Sequence, residues 1–329
     1  PVDLLRRAGD RLVLETVTAP DAAAAERLAA ELAADPAVTS AEPRTTYHLT
    51  PTTGERLGGP LLLATDPYLR FATHLDAVRA PAAWGTTTGR GVTVAVLDSG
   101  VDPTAPDLAG RVLPGANLAA GTDIGTHGTQ VATVVAGARG NAHGAIGVAP
   151  DVEVLPVRVC TPDGCAGDAV ARGILWAADH GAQVVNLSLG GETYSRVTAD
   201  AVQHAVSRGV VVVAAAGNSG DRGNPVEYPA AYPGVVSVSA TAPGGAPAPW
   251  AQHNDAVDLS APGEQVVVGG PASEGHGYFF ARGTSFSAPQ VAAAAALVRS
   301  VDGTATPAQV EALLEGSASA PPAWPAGYG

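Results

Sequence analysis

A serine stands just inside the mouth of a long apolar, alanine-rich run in Gly283-Thr284-Ser285-Phe286-Ser287-Ala288-Pro289. A serine hydroxyl is a poor nucleophile unless a neighbouring base takes its proton. Two upstream segments carry the groups it would need. Thr126-His127-Gly128-Thr129-Gln130 presents an imidazole at an expected helix start, and Val94-Ala95-Val96-Leu97-Asp98-Ser99-Gly100 presents a carboxylate where an apolar strand ends. An imidazole can accept the hydroxyl proton, and a carboxylate behind it fixes the tautomer and stabilises the imidazolium that forms. The trio would support acyl transfer, with Ser285 as nucleophile, His127 as base and Asp98 as its orienting partner. Singly, a strand-end Asp is an ordinary turn residue and a Ser before an apolar run an ordinary helix cap. Three such contexts in one chain, in the order Asp, His, Ser, point to chemistry.

That order separates families sharing the trio: α/β-hydrolases run Ser, Asp, His and chymotrypsin-like chains run His, Asp, Ser, whereas subtilisin runs Asp, His, Ser. No Gly-x-Ser-x-Gly elbow surrounds Ser285. The chain resembles the subtilisin-like serine endopeptidases (the subtilase or S8 family) from Asp66-Pro67-Tyr68 to about Gly316, with a weaker similarity to actinobacterial, mycosin-like branches in Gln130, Thr133 and Ser285-Phe286-Ser287. The resemblance implies that Asn218, in Ala216-Gly217-Asn218-Ser219-Gly220, donates its side-chain amide to the oxyanion alongside the Ser285 backbone amide. It also implies that Ser188, Leu189 and Gly190 pair with an extended substrate and form one wall of the S1 pocket, with Ala215 and Gly217 opposite. Glu227, directly before Tyr228-Pro229, falls at the base of that pocket. A carboxylate there would favour Arg or Lys at P1, since a buried charge needs a partner.

The chain departs from the family pattern where Ala105-Pro106-Asp107-Leu108 replaces His-Pro-Asp-Leu and where Gln130 replaces a second His. The loop from Arg139 to Gly147 carries Asn141 but few carboxylates, so a structural calcium ion, common in the family, is poorly supported there. No cofactor is needed for the chemistry.

Positioning these residues calls for an α/β fold: strands at Val92–Leu97, Glu153–Val159, Gln183–Ser188, Val210–Ala215 and Val235–Ala240 alternate with helices at His127–Ala136, Ala166–His180, Thr198–Ser207, Ser285–Ser300 and Pro307–Glu315. Such alternation predicts a mostly parallel sheet with helices on both faces. In these sheets reactive groups gather beyond the C-terminal strand ends, where Asp98 falls. A helix opening near Ser285 would aim free N–H groups at the reacting carbonyl, with Pro289 expected in its first turn or so, where a missing N–H costs little.

The N-terminal part reads as a separate small α/β unit: a strand at Leu12–Thr18, a helix capped by Asp21 and running to about Ala34, and a second strand ending in Glu42-Pro43. It is similar to the propeptide (inhibitor I9-like) that subtilases use as folding helper and inhibitor. Residues 1–50 are assigned to it, residues 51–79 to a linker and lead-in, and residues 80–329 to the catalytic domain. The linker stretch from Leu49 to Thr65 offers no readable element beyond the patch Leu61-Leu62-Leu63, and an activating cut is expected within it, with Arg56 as one candidate P1 residue.

With 329 residues and 46% hydrophobic content the chain can bury a large core. A net charge of −13 argues against nucleic acid and anionic membrane surfaces as partners. No run of eighteen apolar residues is present, so no membrane span is predicted. Cys160 and Cys165 bracket the turn sequence Thr161-Pro162-Asp163-Gly164 and are expected to form a disulfide, beside the S2 and S4 subsites that the resemblance implies. The expected partners are a protein or peptide substrate and the chain's own N-terminal unit, acting as a monomer, secreted or at the cell surface. Pro1 and the absence of Met do not read as a native start, and the sequence reaches Gly327-Tyr328-Gly329 where subtilases commonly continue with a final segment. A catalytically silent subtilase-fold binding scaffold is the alternative to a peptidase made as a zymogen.

Overall fold

The computed structural model describes residues 1–9, 11–49, 53–58 and 66–319; Leu61–Leu63 and Gly327–Gly329 lie outside them. The chain opens with strands β1 (Val2–Ala8) and β2 (Arg11–Val17), helix α1 (Ala22–Ala33) and strand β3 (Val38–Pro43). Asp21 caps α1 as expected, its carboxylate accepting the Ala24 N–H at 2.7 Å. β1 is the central strand of an antiparallel β2-β1-β3 sheet, an element that the sequence reading missed.

Two further strands follow: β4 (Thr46–Leu49), at the end of the stretch assigned to the N-terminal unit, and β5 (Thr53–Gly58), which corrects the expectation of a featureless linker. Neither pairs within the N-terminal unit. Both find partners in the rest of the chain, so neither has a local signature.

After short helices α2 (Thr73–Ala77) and α3 (Ala80–Ala83) comes the alternating body: β6 (Thr93–Asp98), β7 (Ala116–Asn117), α4 (Thr126–Ala136), β8 (Glu153–Arg158), the hairpin β9 (Cys160–Thr161) and β10 (Gly164–Ala166), and α5 (Gly167–Asp179). Then follow β11 (Val184–Leu187), β12 (Leu189–Gly190), α6 (Arg196–Ser207), β13 (Val211–Ala215), β14 (Val235–Thr241), β15 (Leu259–Pro262), β16 (Val266–Gly269), β17 (Tyr278–Arg282), α7 (Thr284–Val301) and α8 (Pro307–Ser317). The seven-stranded sheet runs β15-β14-β13-β11-β6-β8-β7, and its ladders are parallel.

Both faces of this sheet are covered, so its central strands β6 and β13 are near-continuous apolar runs rather than alternating. Val94 and Val96 of β6 enter the core with Val131 of α4 and Ala292 of α7, while Ala95 and Leu97 enter the opposite core with Val170 of α5 and Val202 of α6. The small residues Ala292, Ala293, Ala295 and Ala296 let α7 lie close against β13 and β14, and all four are fully buried.

The N-terminal unit is fastened by charge. Arg44 reaches Asp3 at 2.8 Å and Asp168, at the start of α5, at 3.0 Å. Glu42 sits at the N-terminus of α6, accepting the backbone N–H groups of Arg196 (2.8 Å) and Val197 (3.2 Å) and the hydroxyl of Ser195. Free N–H groups and the positive end of the helix dipole make that position a carboxylate site.

Candidate active site

Three elements bring the candidate trio together beyond the C-terminal ends of the central strands. Asp98 ends β6 and is fully buried, one oxygen accepting the Ser99 N–H at 2.6 Å. His127 is the second residue of α4, and its Nδ1 lies 2.9 and 2.8 Å from the two oxygens of Asp98. α4 can approach β6 this closely because residue 128 is glycine: a Cβ there would fall 2.2 Å from the Gly100 carbonyl oxygen. A carboxylate on Nδ1 places the ring proton there and leaves Nε2 as a bare acceptor. Nε2 is buried and makes no hydrogen bond among the described residues.

Ser285 is the second residue of α7, completely buried, and its neighbour Phe286 packs against the His127 ring with centroids 5.7 Å apart. Its Oγ donates to the Ser188 carbonyl at 3.3 Å rather than to His127. Pro289 is not in the first turn, as the sequence suggested, but well inside α7. Its missing N–H is the one that would have bonded the carbonyl of Ser285, four residues back. The hydroxyl of Ser188 fills that role at 2.9 Å, and is itself held by Asn186 at 3.0 Å.

Asn218 follows β13. Its Oδ1 accepts both the N–H and the hydroxyl of Thr284, each at 2.9 Å, which fixes the orientation of the amide next to Ser285. The Thr284 hydroxyl also receives the Gly217 N–H at 3.2 Å, so one side chain ties the end of β13 to the start of α7. Thr284 carried no distinguishing signal in the sequence.

The pocket residues are likewise gathered. The Glu227 carboxylate lies between the two expected walls: a Cβ on Gly190 would fall 2.5 Å from its Oε2, and one on Gly217, whose φ is +116°, 2.6 Å from its Cδ. Ala215 is buried at the end of β13. Glu227 Oε1 accepts the Gln252 side-chain amide at 2.6 Å. Burial pushes the Glu227 carboxyl up to about 7, with Glu192 pushing the same way and the Gln252 bond and Arg222 opposing. Gln252 also accepts the Ser219 N–H at 2.8 Å, a positioning role invisible in the sequence.

β4 occupies the cleft. It runs antiparallel between β10 and β12, with Tyr47 opposite Cys165, His48 opposite Gly190 and Leu49 opposite Leu189. Cys160 and Cys165 are disulfide-bonded and staple the β9-β10 hairpin that forms this wall. On the far side β5 pairs antiparallel with β17, the strand leading into Ser285, with Thr53 opposite Arg282 and Arg56 opposite Phe279. Arg56 is therefore a member of this sheet and not a residue of the β4 register.

The loop from Arg139 to Gly147 does not suit a cation. Asp66 accepts the Gly140 and Ala142 N–H groups at 2.7 and 3.2 Å, and Asp107 accepts the Asn141 amide at 2.9 Å and the Ala145 N–H at 3.1 Å. These carboxylate oxygens face donors, the opposite of what a metal requires.

A parallel α/β sheet carrying carboxylate, imidazole and hydroxyl in this order, beside an extended-strand cleft, defines the class of subtilisin-like serine endopeptidases. Comparison with known proteins agrees: the model of the subtilase family (peptidase S8) matches residues 89–329, and the chain belongs to that family. It is 39% identical over 251 residues to subtilisin BL from Lederbergia lenta, covering 74% of this chain and 90% of that protein. It is 36% identical over 259 residues to thermitase from Thermoactinomyces vulgaris, covering 77% and 90%. Fervidolysin from Fervidobacterium pennivorans is 37% identical over 269 residues, which span 71% of this chain but 38% of that protein. The crystal structure of fervidolysin, described as a keratinolytic enzyme related to subtilisin, superposes with a TM-score of 0.74 at 30% identity over 86% of this chain and 49% of that one. Hydrolysis in this family needs no cofactor, and among the described residues no helix is long and apolar enough to cross a membrane.

Proposed function

We propose that this chain is the zymogen of an extracytoplasmic serine endopeptidase that cleaves extended peptides through Ser285, His127 and Asp98. Asp98 holds the proton of His127 on Nδ1, so Nε2 is the base. For attack, the Ser285 hydroxyl turns from the Ser188 carbonyl towards Nε2, and its oxygen adds to the substrate carbonyl as the proton moves to His127. The oxyanion is received by Asn218 and the Ser285 N–H, and His127 then protonates the leaving amine. Water attacks the acyl-enzyme by the same route.

The observation that carries this reading is β4 in the cleft as the middle strand between β10 and β12. Recognition by strand addition takes affinity from the main chain and selectivity from side-chain pockets. Ser188, the wall residue before Leu189, touches Ser285, and counting back from there reads Leu49 as P2, His48 as P3 and Tyr47 as P4. Residues 1–50 then act as an inhibitory propeptide whose tail imitates a substrate. The match to fervidolysin over 86% of the chain, a larger share than residues 89–329 make up, supports a relationship extending into this part. The Glu227 carboxylate between Gly190 and Gly217 supports a preference for Arg or Lys at P1. The disulfide supports an oxidising compartment, and the loop chemistry argues against calcium at residues 139–147.

The test is intact mass and N-terminal sequencing of the wild type beside Ser285→Ala after incubation. Loss of the N-terminal unit from the wild type alone is expected. Loss from both would assign the cut to another protease, and labelling of wild type but not Ser285→Ala by a fluorophosphonate separates the peptidase from the silent scaffold.

A further inference from the structure

The side chain of Tyr47 is fully buried where β4 crosses the cleft, in the core that also contains Cys160, Cys165, Leu189 and Tyr232. Its hydroxyl does not return to water. It lies 3.1 Å from the hydroxyl of Tyr232. That second hydroxyl is held in place: it accepts the Ser195 N–H at 2.9 Å and donates to the Ser195 carbonyl at 3.0 Å. A phenol has one proton, and the proton of Tyr232 is committed to Ser195. The hydrogen bond between the two tyrosines therefore runs from Tyr47 to Tyr232, and the floor of the pocket presents an oriented acceptor to whatever fills it. Tyr228 and Tyr194 wall in Tyr232, with ring centroids 4.8 and 5.4 Å from it, and keep its ring from swinging away.

We infer that the subsite opposite Cys165, four residues ahead of the cut, selects tyrosine through its hydroxyl, and that Tyr232 is the residue that sets this selectivity. The inference rests on the reading of β4 as a substrate-like strand. An apolar slot alone would take leucine, phenylalanine and tyrosine with little distinction, because one extra hydroxyl is poorly rejected or rewarded there. A slot ending in a fixed hydrogen-bonding group discriminates against the analogue that lacks the partner. The propeptide carries the preferred residue, and protein substrates would be read for the same feature.

The experiment uses the processed wild-type enzyme and fluorogenic peptides Xaa-His-Leu-Arg, in which Xaa is Tyr, Phe or Leu. The expected kcat/KM ratio of Tyr to Phe is roughly tenfold, the size of one buried hydrogen bond. In Tyr232→Phe that ratio falls to within about twofold of unity. A wild-type ratio near one, or a ratio that Tyr232→Phe leaves in place, overturns the inference. A second measurement needs no catalysis. In the uncut Ser285→Ala chain, Tyr47→Phe and Tyr232→Phe are made singly and together, and the urea midpoints compared. Coupled hydroxyls require the double change to cost less than the sum of the singles, and strict additivity overturns the inference. Failure to cleave any peptide would overturn the peptidase reading and this inference with it, whereas additivity in the urea cycle overturns this inference alone.

Discussion

The hydroxyl of Ser188 donates to the carbonyl of Ser285 at 2.9 Å, supplying the bond that Pro289 has no N–H to make. The segment leading into β12 and the start of α7 are thereby joined at Ser285. Ser188→Ala should leave that buried carbonyl without its donor, at about 1–3 kcal/mol, and lower kcat by misplacing Ser285. Pro289→Ala restores the helical N–H, so Ser188→Ala should cost less in that background. Urea denaturation of the four proteins in Ser285→Ala form measures the coupling; equal costs in both backgrounds would refute it.

Glu42 fastens the N-terminal unit by capping α6 through Arg196 and Val197. Glu42→Ala removes a charge from a helix N-terminus and two acceptors, together worth about 1–2 kcal/mol. The excised unit should dissociate from the processed enzyme about tenfold faster, and zymogen survival should shorten. Stopped-flow recovery of peptidase activity after dilution reads this directly, and an unchanged rate would remove Glu42 from the docking contact.

Glu227 is half-ionised near neutral pH, since burial raises its carboxyl to about 7. A cationic P1 side chain needs the ionised form. The ratio of P1 Arg to P1 Leu cleavage should therefore rise as pH climbs from 6 to 8. In Glu227→Gln the ratio should be lower and flat with pH. A pH-independent ratio in the wild type would exclude Glu227 as the selector.

Asn218 is oriented by Thr284, which holds its Oδ1 twice. Asn218→Leu should lower kcat by about a hundred- to thousandfold with little change in KM, the loss known for one such donor in a subtilisin. Thr284→Val keeps the N–H bond but drops the hydroxyl bond, and should cost kcat roughly tenfold. A change confined to KM in either variant would move Asn218 out of transition-state stabilisation.

The body of the fold was legible because β6, α4 and α7 carry their own signals: an apolar run, a periodic face, a break at each end. The trio was legible because each member sits at such a break. β4 and β5 were not, because Thr46–Leu49 and Thr53–Gly58 are strands only by virtue of partners far along the chain, at Cys165, Leu189 and Phe279. Glu42 could be seen as part of a Glu-Pro pair, but not as the cap of a helix 154 residues away. Pro289 was seen and misplaced: composition gives the missing N–H, and only the packing of Ser188 tells what replaces it. Gln252, Thr284 and Tyr232 act by touching other functional groups, and nothing in their local sequence records that.

His74 lies on α2 with 2% of its surface exposed, and neither ring nitrogen has a hydrogen-bond partner among the described residues. Burial disfavours the charged ring and lowers its pKa from 6.5 to about 4. Between these values the unfolded chain takes up a proton that the folded chain refuses, so folding stability falls as pH drops through that window. The full loss, reached near pH 4, is on the order of 3 kcal/mol. The raised carboxyl of Glu227 has the opposite slope, its folded form holding a proton that the unfolded chain releases between the ordinary value of 4.5 and about 7. A difference curve isolates the histidine. Urea unfolding of Ser285→Ala and of Ser285→Ala with His74→Leu, measured from pH 4 to 7.5, should show the variant gaining on its parent as pH falls below 6.5. A difference that stays constant across the range would mean that His74 is solvated or partnered in the folded state, and would overturn the assignment.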